Sequence, residues 1–129
     1  MSMRTPLTAL ALCLALPAQA ELRDEPRVTE GLIAVGIAYE ISEVCPQIGP
    51  RRLRGLNYLF SLKGIARDLG YSEAQIDAFV DSKSEQDRLE AIARTRLQQM
   101  GAQPGDAASH CAVGRAEMAR DSAIGRLLR

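Results

Sequence analysis

Residues 28–46 read VTEGLIAVGIAYEISEVCP, and this stretch decides the fold predicted for the chain. Its apolar side chains recur at intervals of three and four residues, which places a broad apolar face on an α-helix. The helix is predicted over 28–44 and ends before Pro46, which cannot continue it. Cys45 therefore falls at the end of the helix. The recurring positions are Leu32, Val35 and Tyr39, and Ile33, Ile37, Ile41 and Val44.

A second helix is expected from Pro50, a favourable first helical residue, to Gly70, which suits a C-terminal cap. Its apolar face starts at Leu53 and continues with further residues of the same period. Those residues are Leu56, Leu59 and Phe60, followed by Lys63 and Arg67, with Leu62, Ile65, Ala66 and Leu69 widening the face.

The remaining segments also follow a helical period. In YSEAQI (71–76), Ser72 and Gln75 form a predicted capping box that opens a short third helix, which extends through Val80. A fourth helix is expected to start at Ser84 and to end at Gly101. A fifth is expected from Asp106 toward Arg120, and SAIGRLLR (122–129) continues or restarts it. No segment alternates with a period of two, so the predicted fold class is all-α, with four to five helices.

The first twenty residues, MSMRTPLTALALCLALPAQA, are typical of a secretory signal peptide. Arg4 precedes an apolar run too short to span a bilayer, and small residues end the segment. Cleavage is predicted after Ala20, which leaves a periplasmic domain of residues 21–129. An uncleaved anchor is the weaker alternative. A lipid-modified Cys13 is weaker still, because bulky Leu12 precedes it.

Charge argues against one class of partner. The chain has 16 basic and 16 acidic residues, and removal of Arg4 with the signal leaves the mature chain slightly acidic. A nucleic-acid-binding protein needs a clearly basic face, so nucleic acid is not expected as a partner.

The stretch SHCAVGRAEMAR (109–120) sets His110 beside Cys111 and raises three interpretations. Catalysis is disfavoured, because adjacent helical residues point about 100° apart. A metal site is disfavoured, because zinc takes three or four ligands and the mature chain offers two cysteines and one histidine. A disulfide between Cys45 and Cys111 suits an exported protein and would stabilise it by about 4 kcal/mol. His110 is then expected to be an exposed neighbour of the bridge.

Two arginine groups are candidate partner-binding residues. Arg51, Arg52 and Arg54 crowd the start of the second helix, where cations are locally unfavourable, so they could present a site for an anionic partner or lipid headgroup. The alternatives are neutralisation by acids of the preceding helix, Glu40 and Glu43, or plain solvation.

The tail mixes Leu127 and Leu128 with Arg126 and Arg129. It could dock on a protein or a membrane surface, or it could pack on the protein's own core. A hydrolase using Glu40, Glu43 or His110, with Tyr39 nearby, is conceivable but nonspecific. We expect no enzyme activity, no cofactor and no metal.

Three segments and the leader together resemble a small exported family of alphaproteobacteria that is described as a domain of unknown function. The segments are GLIAVGIAYEISEVCP, LRGLNYLFSLKGIARDLGYSEAQIDAFV and GDAASHCAVGRAEMARDSAIGRLLR. The resemblance implies an exported all-helical domain with two paired cysteines and no catalytic residues. It also places an envelope or respiratory complex, such as the NADH–quinone oxidoreductase, first among the expected partners.

The function predicted from the sequence is therefore a periplasmic, non-catalytic protein-binding or accessory module. A small-molecule or lipid-binding helical module is the alternative, and a hydrolase ranks third. An exposed apolar patch would favour association with a protein, and an enclosed apolar cavity would favour a ligand.

Overall fold

A computed structural model describes residues 21–129, which fold into five α-helices and two 3-10 turns and confirm the all-α class. The signal peptide predicted over residues 1–20, with its cleavage after Ala20, lies outside the described residues. The helices are α1 (Pro26–Val44), α2 (Arg52–Asp68), α3 (Glu73–Val80), α4 (Lys83–Met100) and α5 (Ala107–Ala119), and the 3-10 turns are Leu22–Asp24 and Gly125–Leu127.

Helix α1 begins two residues earlier than the apolar pattern indicates. Pro26 occupies its first turn, and Glu25 caps it by accepting a hydrogen bond from the backbone N–H of Arg27 at 3.4 Å. The residues before it form a 3-10 turn whose Leu22 is buried. An apolar side chain at position 22 thus anchors the start of the described chain to the bundle.

Helix α2 does not begin at Pro50, which pairs instead with Leu128 in an isolated antiparallel bridge. The flanking backbone groups of Gly49 and Arg129 exchange two hydrogen bonds of 2.8 and 2.9 Å. Because the backbone of residues 49–51 pairs with the C-terminal residues, the helix starts at Arg52.

The capping box predicted at the start of α3 is confirmed. The Ser72 hydroxyl accepts from the Gln75 N–H at 3.2 Å, and the Gln75 side chain accepts from the Ser72 N–H at 2.8 Å. Helix α4 starts earlier than expected, because Ser82 rather than Ser84 is its N-cap. Gly101 ends it with a φ of 111°, a left-handed conformation that glycine adopts without strain.

Helix α1 lies at the centre and packs against α2, α4 and α5. The main core surrounds its second half, where Ile41 is fully buried. A smaller core lies under the first half of α1, at the other end of the molecule. Its buried members are Leu22, Val28, Ala66 and Ile76.

The predicted disulfide is present and joins two distant helices. Cys45 follows the last residue of α1, Cys111 lies in the first half of α5, and their Cα atoms are 5.1 Å apart. Both sulfurs lie inside the main core. The bond therefore secures the main core and leaves the smaller core at the far end to packing alone.

The C-terminal tail packs on the protein itself. The 3-10 turn at Gly125–Leu127 replaces the expected α-helix, and Leu127 and Leu128 are both buried. Among residues 21–129, no helix is long and apolar enough to cross a membrane.

Candidate functional site

An apolar groove of about 340 Å³ opens over the smaller core, and we call it the α2 groove. Leu56, Leu59 and Phe60 of α2 form one side, and Phe79 and Val80 of α3 form the other. Val28, Leu32, Ala66, Ile76 and Leu89 also line it, from α1 to α4. Its lining is almost entirely apolar, as in sites that bind apolar ligands or side chains.

The α2 groove exists because α2 carries two apolar stripes and buries only one. Leu62 and Ala66 point inward and are 3% and 1% exposed. Leu53, Leu56 and Phe60, which the period placed on the same broad face, are 72%, 49% and 57% exposed. Part of the predicted apolar face is therefore exposed, because α1 and α3 cover only its inner part.

Exposed apolar side chains concentrate beside this groove. Residues 21–129 have five large apolar side chains exposed by 42% or more, and four of them are Leu53, Leu56, Phe60 and Val80. The fifth, Tyr39, lies on α1 away from the groove. Clustered exposure of this kind marks interaction surfaces, whereas isolated exposed apolar residues are ordinary.

Two ionisable side chains line the α2 groove, and one of them is neutralised. The Glu85 carboxylate accepts from Arg88 Nε at 2.9 Å and lies 3.5 Å from Arg23 Nε. Lys63 makes no hydrogen bond or ion pair with another residue in 21–129. Its side chain lines the groove, and its ammonium group forms no ion pair with a carboxylate of the described residues.

The candidate arginines come together where the start of α2 meets the C-terminal tail. Arg51 Nε donates to the Leu128 carbonyl at 2.8 Å, and Arg54 Nη1 donates to the Arg126 carbonyl at 3.2 Å. Arg126 pairs with Asp121 at 3.1 Å, and that bond lowers the pKa of Asp121, with a smaller contribution from Arg54.

The remaining two candidate arginines, Arg52 and Arg129, are exposed. Their side chains form no ion pair within residues 21–129. The backbone of Arg129, in contrast, takes part in the pairing with Gly49. The structure thus uses Arg51 and Arg54 to hold the tail and leaves the side chain of Arg52 in solvent.

Glu40 and Glu43 do not neutralise those arginines. Arg94 of α4 donates to the Glu40 carboxylate at 3.1 and 3.2 Å, while Glu43 is exposed. Glu40 therefore links α1 to α4, and the suggested neutralisation of the α2 arginines was wrong. A hydrolytic carboxylate pair gains no support, because one of its two members is held by an arginine.

His110 is buried, at 5% exposure, and the expectation of an exposed neighbour of the disulfide was wrong. Its Nδ1 lies 2.8 Å from the Asp106 carbonyl, which fixes Nδ1 as the protonated nitrogen. The ring thereby satisfies a carbonyl in the first turn of α5. Within residues 21–129, His, Cys, Asp and Glu form no group of three or more that could hold a metal.

Two other depressions in the described surface are larger, but they are lined by charged side chains that already have partners. One of about 530 Å³ contains Arg96, Glu117 and Arg120. Arg120 is bonded to Glu117, and Arg96 Nη2 donates to Glu30 at 2.8 Å. These groups hold the protein's own elements together, so the α2 groove is the best candidate site.

One sequence signal could have located this groove. The positions Leu53, Leu56, Phe60 and Lys63 form one stripe of α2, while Leu62 and Ala66 belong to another whose centre is about 120° away. A helix at the edge of a small bundle cannot bury two such stripes, so one of them had to remain available.

The structure thus defines a disulfide-linked helical protein with an open apolar groove. The chain belongs to a family of unknown function, DUF5333, whose model matches residues 20–129. No curated protein and no solved structure matches the chain.

Proposed function

We propose that the mature chain is a periplasmic, non-catalytic binding protein that holds an apolar segment of a protein partner in the α2 groove. The observation that carries the proposal is the cluster of Leu53, Leu56, Phe60 and Val80 beside an apolar recess. A monomer rarely leaves such side chains together in water unless a partner covers them. The family resemblance makes an envelope or respiratory complex the first place to look for that partner.

The α2 groove and the exposed apolar residues beside it, which we call the apolar ridge, have a shape to which a helix of a partner can bind. Leu53, Leu56 and Phe60 follow the period of α2 and present a ridge about two turns long, and the groove beside it has room for side chains. Amphipathic helices bind such surfaces by inserting side chains at positions i, i+3, i+4 and i+7.

Photo-crosslinking in cells tests this proposal. A crosslinking amino acid replaces Leu56 in one variant and Tyr39 in another, because both side chains are about half exposed and only Leu56 lines the groove. We expect a reproducible protein adduct from position 56 and none from position 39. Equal adducts from both positions, or none from either, would contradict a protein partner in the groove.

A bound small molecule or lipid is the second candidate, because about 340 Å³ falls within the range of small-molecule sites. Native mass spectrometry of the purified mature protein distinguishes it. A retained apolar ligand that disappears in a Phe60→Ser variant would favour this candidate over a protein partner.

The export step has its own test. N-terminal sequencing of protein released from the periplasm is expected to begin at Glu21. A chain that still carries residues 1–20 would contradict the proposed export with cleavage after Ala20.

A further inference from the structure

We propose that the partner of the α2 groove is an acidic amphipathic helix, which has an apolar stripe with carboxylates about three turns apart. This inference rests on the proposed function and adds the chemistry of the partner. It follows from the charges that border the apolar ridge.

Arg52 and Lys63 lie at the two ends of that ridge. They are eleven residues apart on α2, which corresponds to about 16 Å along the axis and a rotation of only about 20°. They therefore share one stripe with Leu56, which lies between them. Between Arg51 and Arg67 every charged residue of α2 is a cation, and the first acid is Asp68.

Neither of these two cations is neutralised by the fold. Within residues 21–129, no carboxylate forms an ion pair with Arg52 or Lys63. Lys63 contributes weakly to the lowered pKa of Glu73, whose carboxylate Arg67 holds by a hydrogen bond. In the groove itself, Arg88 and Arg23 neutralise Glu85. The surface thus offers an apolar strip that has, at each end, a cation with no ion-pair partner in the described residues.

Charge decides among the possible occupants. A second copy packing its own α2 here would set Arg52 and Lys63 against like charges in either direction, which is unfavourable. A single-chain amphiphile has one charged end and would meet only one of the two cations.

A flat anionic membrane would have to cover both sides of the groove. The exposed Asp77 and Asp81 lie next to Val80 on the α3 side and would repel it. Such a surface would also leave the recess unfilled. A helix with carboxylates about eleven residues apart can meet both cations and fill the recess with side chains.

Binding of designed peptides tests the inference. The probes are two 18-residue helical peptides with the same Leu and Phe stripe, one with Glu and the other with Lys at two positions eleven residues apart. With the disulfide-intact mature protein, we expect fluorescence anisotropy to show the Glu peptide binding about tenfold more tightly. This ratio corresponds to two partly exposed charge contacts.

Variants show whether the named residues cause the preference. The Arg52→Glu/Lys63→Glu protein is expected to prefer the Lys peptide. The matched control is Lys83→Glu, which changes a lysine outside the groove that pairs with Asp87, and it is expected to keep the preference for Glu. A preference that survives the double reversal would overturn the inference.

Different results would contradict the proposed function and the inference about the partner's charge. If both peptides bind equally and Phe60→Ser weakens both, the groove binds helices but the charge inference is wrong. If neither peptide binds, or if Phe60→Ser changes nothing, the proposed function fails as well. If vesicles of equal parts phosphatidylglycerol and phosphatidylcholine bind while neither peptide does, the surface contacts membranes and both statements are wrong.

Discussion

Arg51 Nε donates to the backbone carbonyl of Leu128 at 2.8 Å, although 77 positions separate the two residues. The backbone N–H of Arg51 donates in addition to the Leu127 carbonyl at 2.8 Å. One residue thus fastens the start of α2 to the last turn of the chain. A neighbouring arginine of the same cluster, Arg52, makes no such contact.

This difference predicts unequal effects of two adjacent substitutions. Arg51→Ala removes a charged donor from a buried carbonyl and is expected to lower the free energy of unfolding by about 1–2 kcal/mol. Arg52→Ala is expected to change it by less than about 0.5 kcal/mol, because that side chain makes no hydrogen bond or ion pair within residues 21–129. Urea unfolding followed by circular dichroism measures both. Equal losses would show that the two arginines do not differ in structural role.

Removal of the disulfide is expected to lower the stability of the protein by the same amount whichever of the two cysteines is replaced. Cys45→Ala, Cys111→Ala and the double variant are each expected to lower the free energy of unfolding by about 2–5 kcal/mol. The double variant should be no less stable than the single ones, since one cysteine without its partner already lacks the bond. Protein isolated from the proposed compartment, the periplasm, should also resist alkylation at both cysteines until it is reduced and unfolded. Free thiols in that protein would contradict the predicted pairing.

The elements that sequence reasoning predicted well have local signals. Ser72 and Gln75 mark the start of α3 because both partners of the capping box lie within four residues. Gly101 marks the end of α4 because its conformation is one that other residues avoid. The Cys45–Cys111 pair could be chosen because the mature chain offers few alternatives.

The elements that it missed depend on contacts distant in sequence. Pairing with the C-terminal tail moves the start of α2 from Pro50 to Arg52. The sequence around Pro50 contains no pattern that indicates this pairing. The stripe at Leu53, Leu56 and Phe60 looks like a core face, and only the placement of α1 and α3 reveals that nothing covers it. The candidate groove was missed for the same reason.

Gly125 predicts a third stability effect, because it lies directly against the backbone of Glu117 and Met118 at the end of α5. A Cβ there would overlap the Glu117 carbonyl, which cannot move without disturbing the helix. Gly125→Ala is expected to destabilise the protein by about 1–3 kcal/mol. Gly64→Ala is the control, because that glycine lies inside α2 with open space around it, and we expect a gain of about 0.5–1 kcal/mol. Thermal unfolding measures both, and a neutral Gly125→Ala would show that the tail is not held closely.

The ion pair between Glu30 of α1 and Arg96 of α4 predicts a pH-dependent contribution. Hydrogen bonding from Arg96 holds the pKa of Glu30 below its usual range. The stabilisation is therefore complete above the pKa of an unperturbed glutamate, about 4.3, and is lost as the pH falls through the lowered value. Because both side chains are about half exposed, it should amount to less than about 1 kcal/mol.

Comparing Glu30→Gln with Glu43→Gln isolates that contribution. At pH 7 and low salt, urea unfolding of Glu30→Gln should show a small loss that shrinks in 1 M salt, where charges are screened within about 3 Å. The loss should also disappear at acid pH, because wild-type Glu30 is then protonated as well. Glu43 is exposed and forms no ion pair within residues 21–129, so Glu43→Gln should match the wild type throughout. A loss in Glu30→Gln that is equally large at neutral and acid pH would assign the effect to packing rather than to charge.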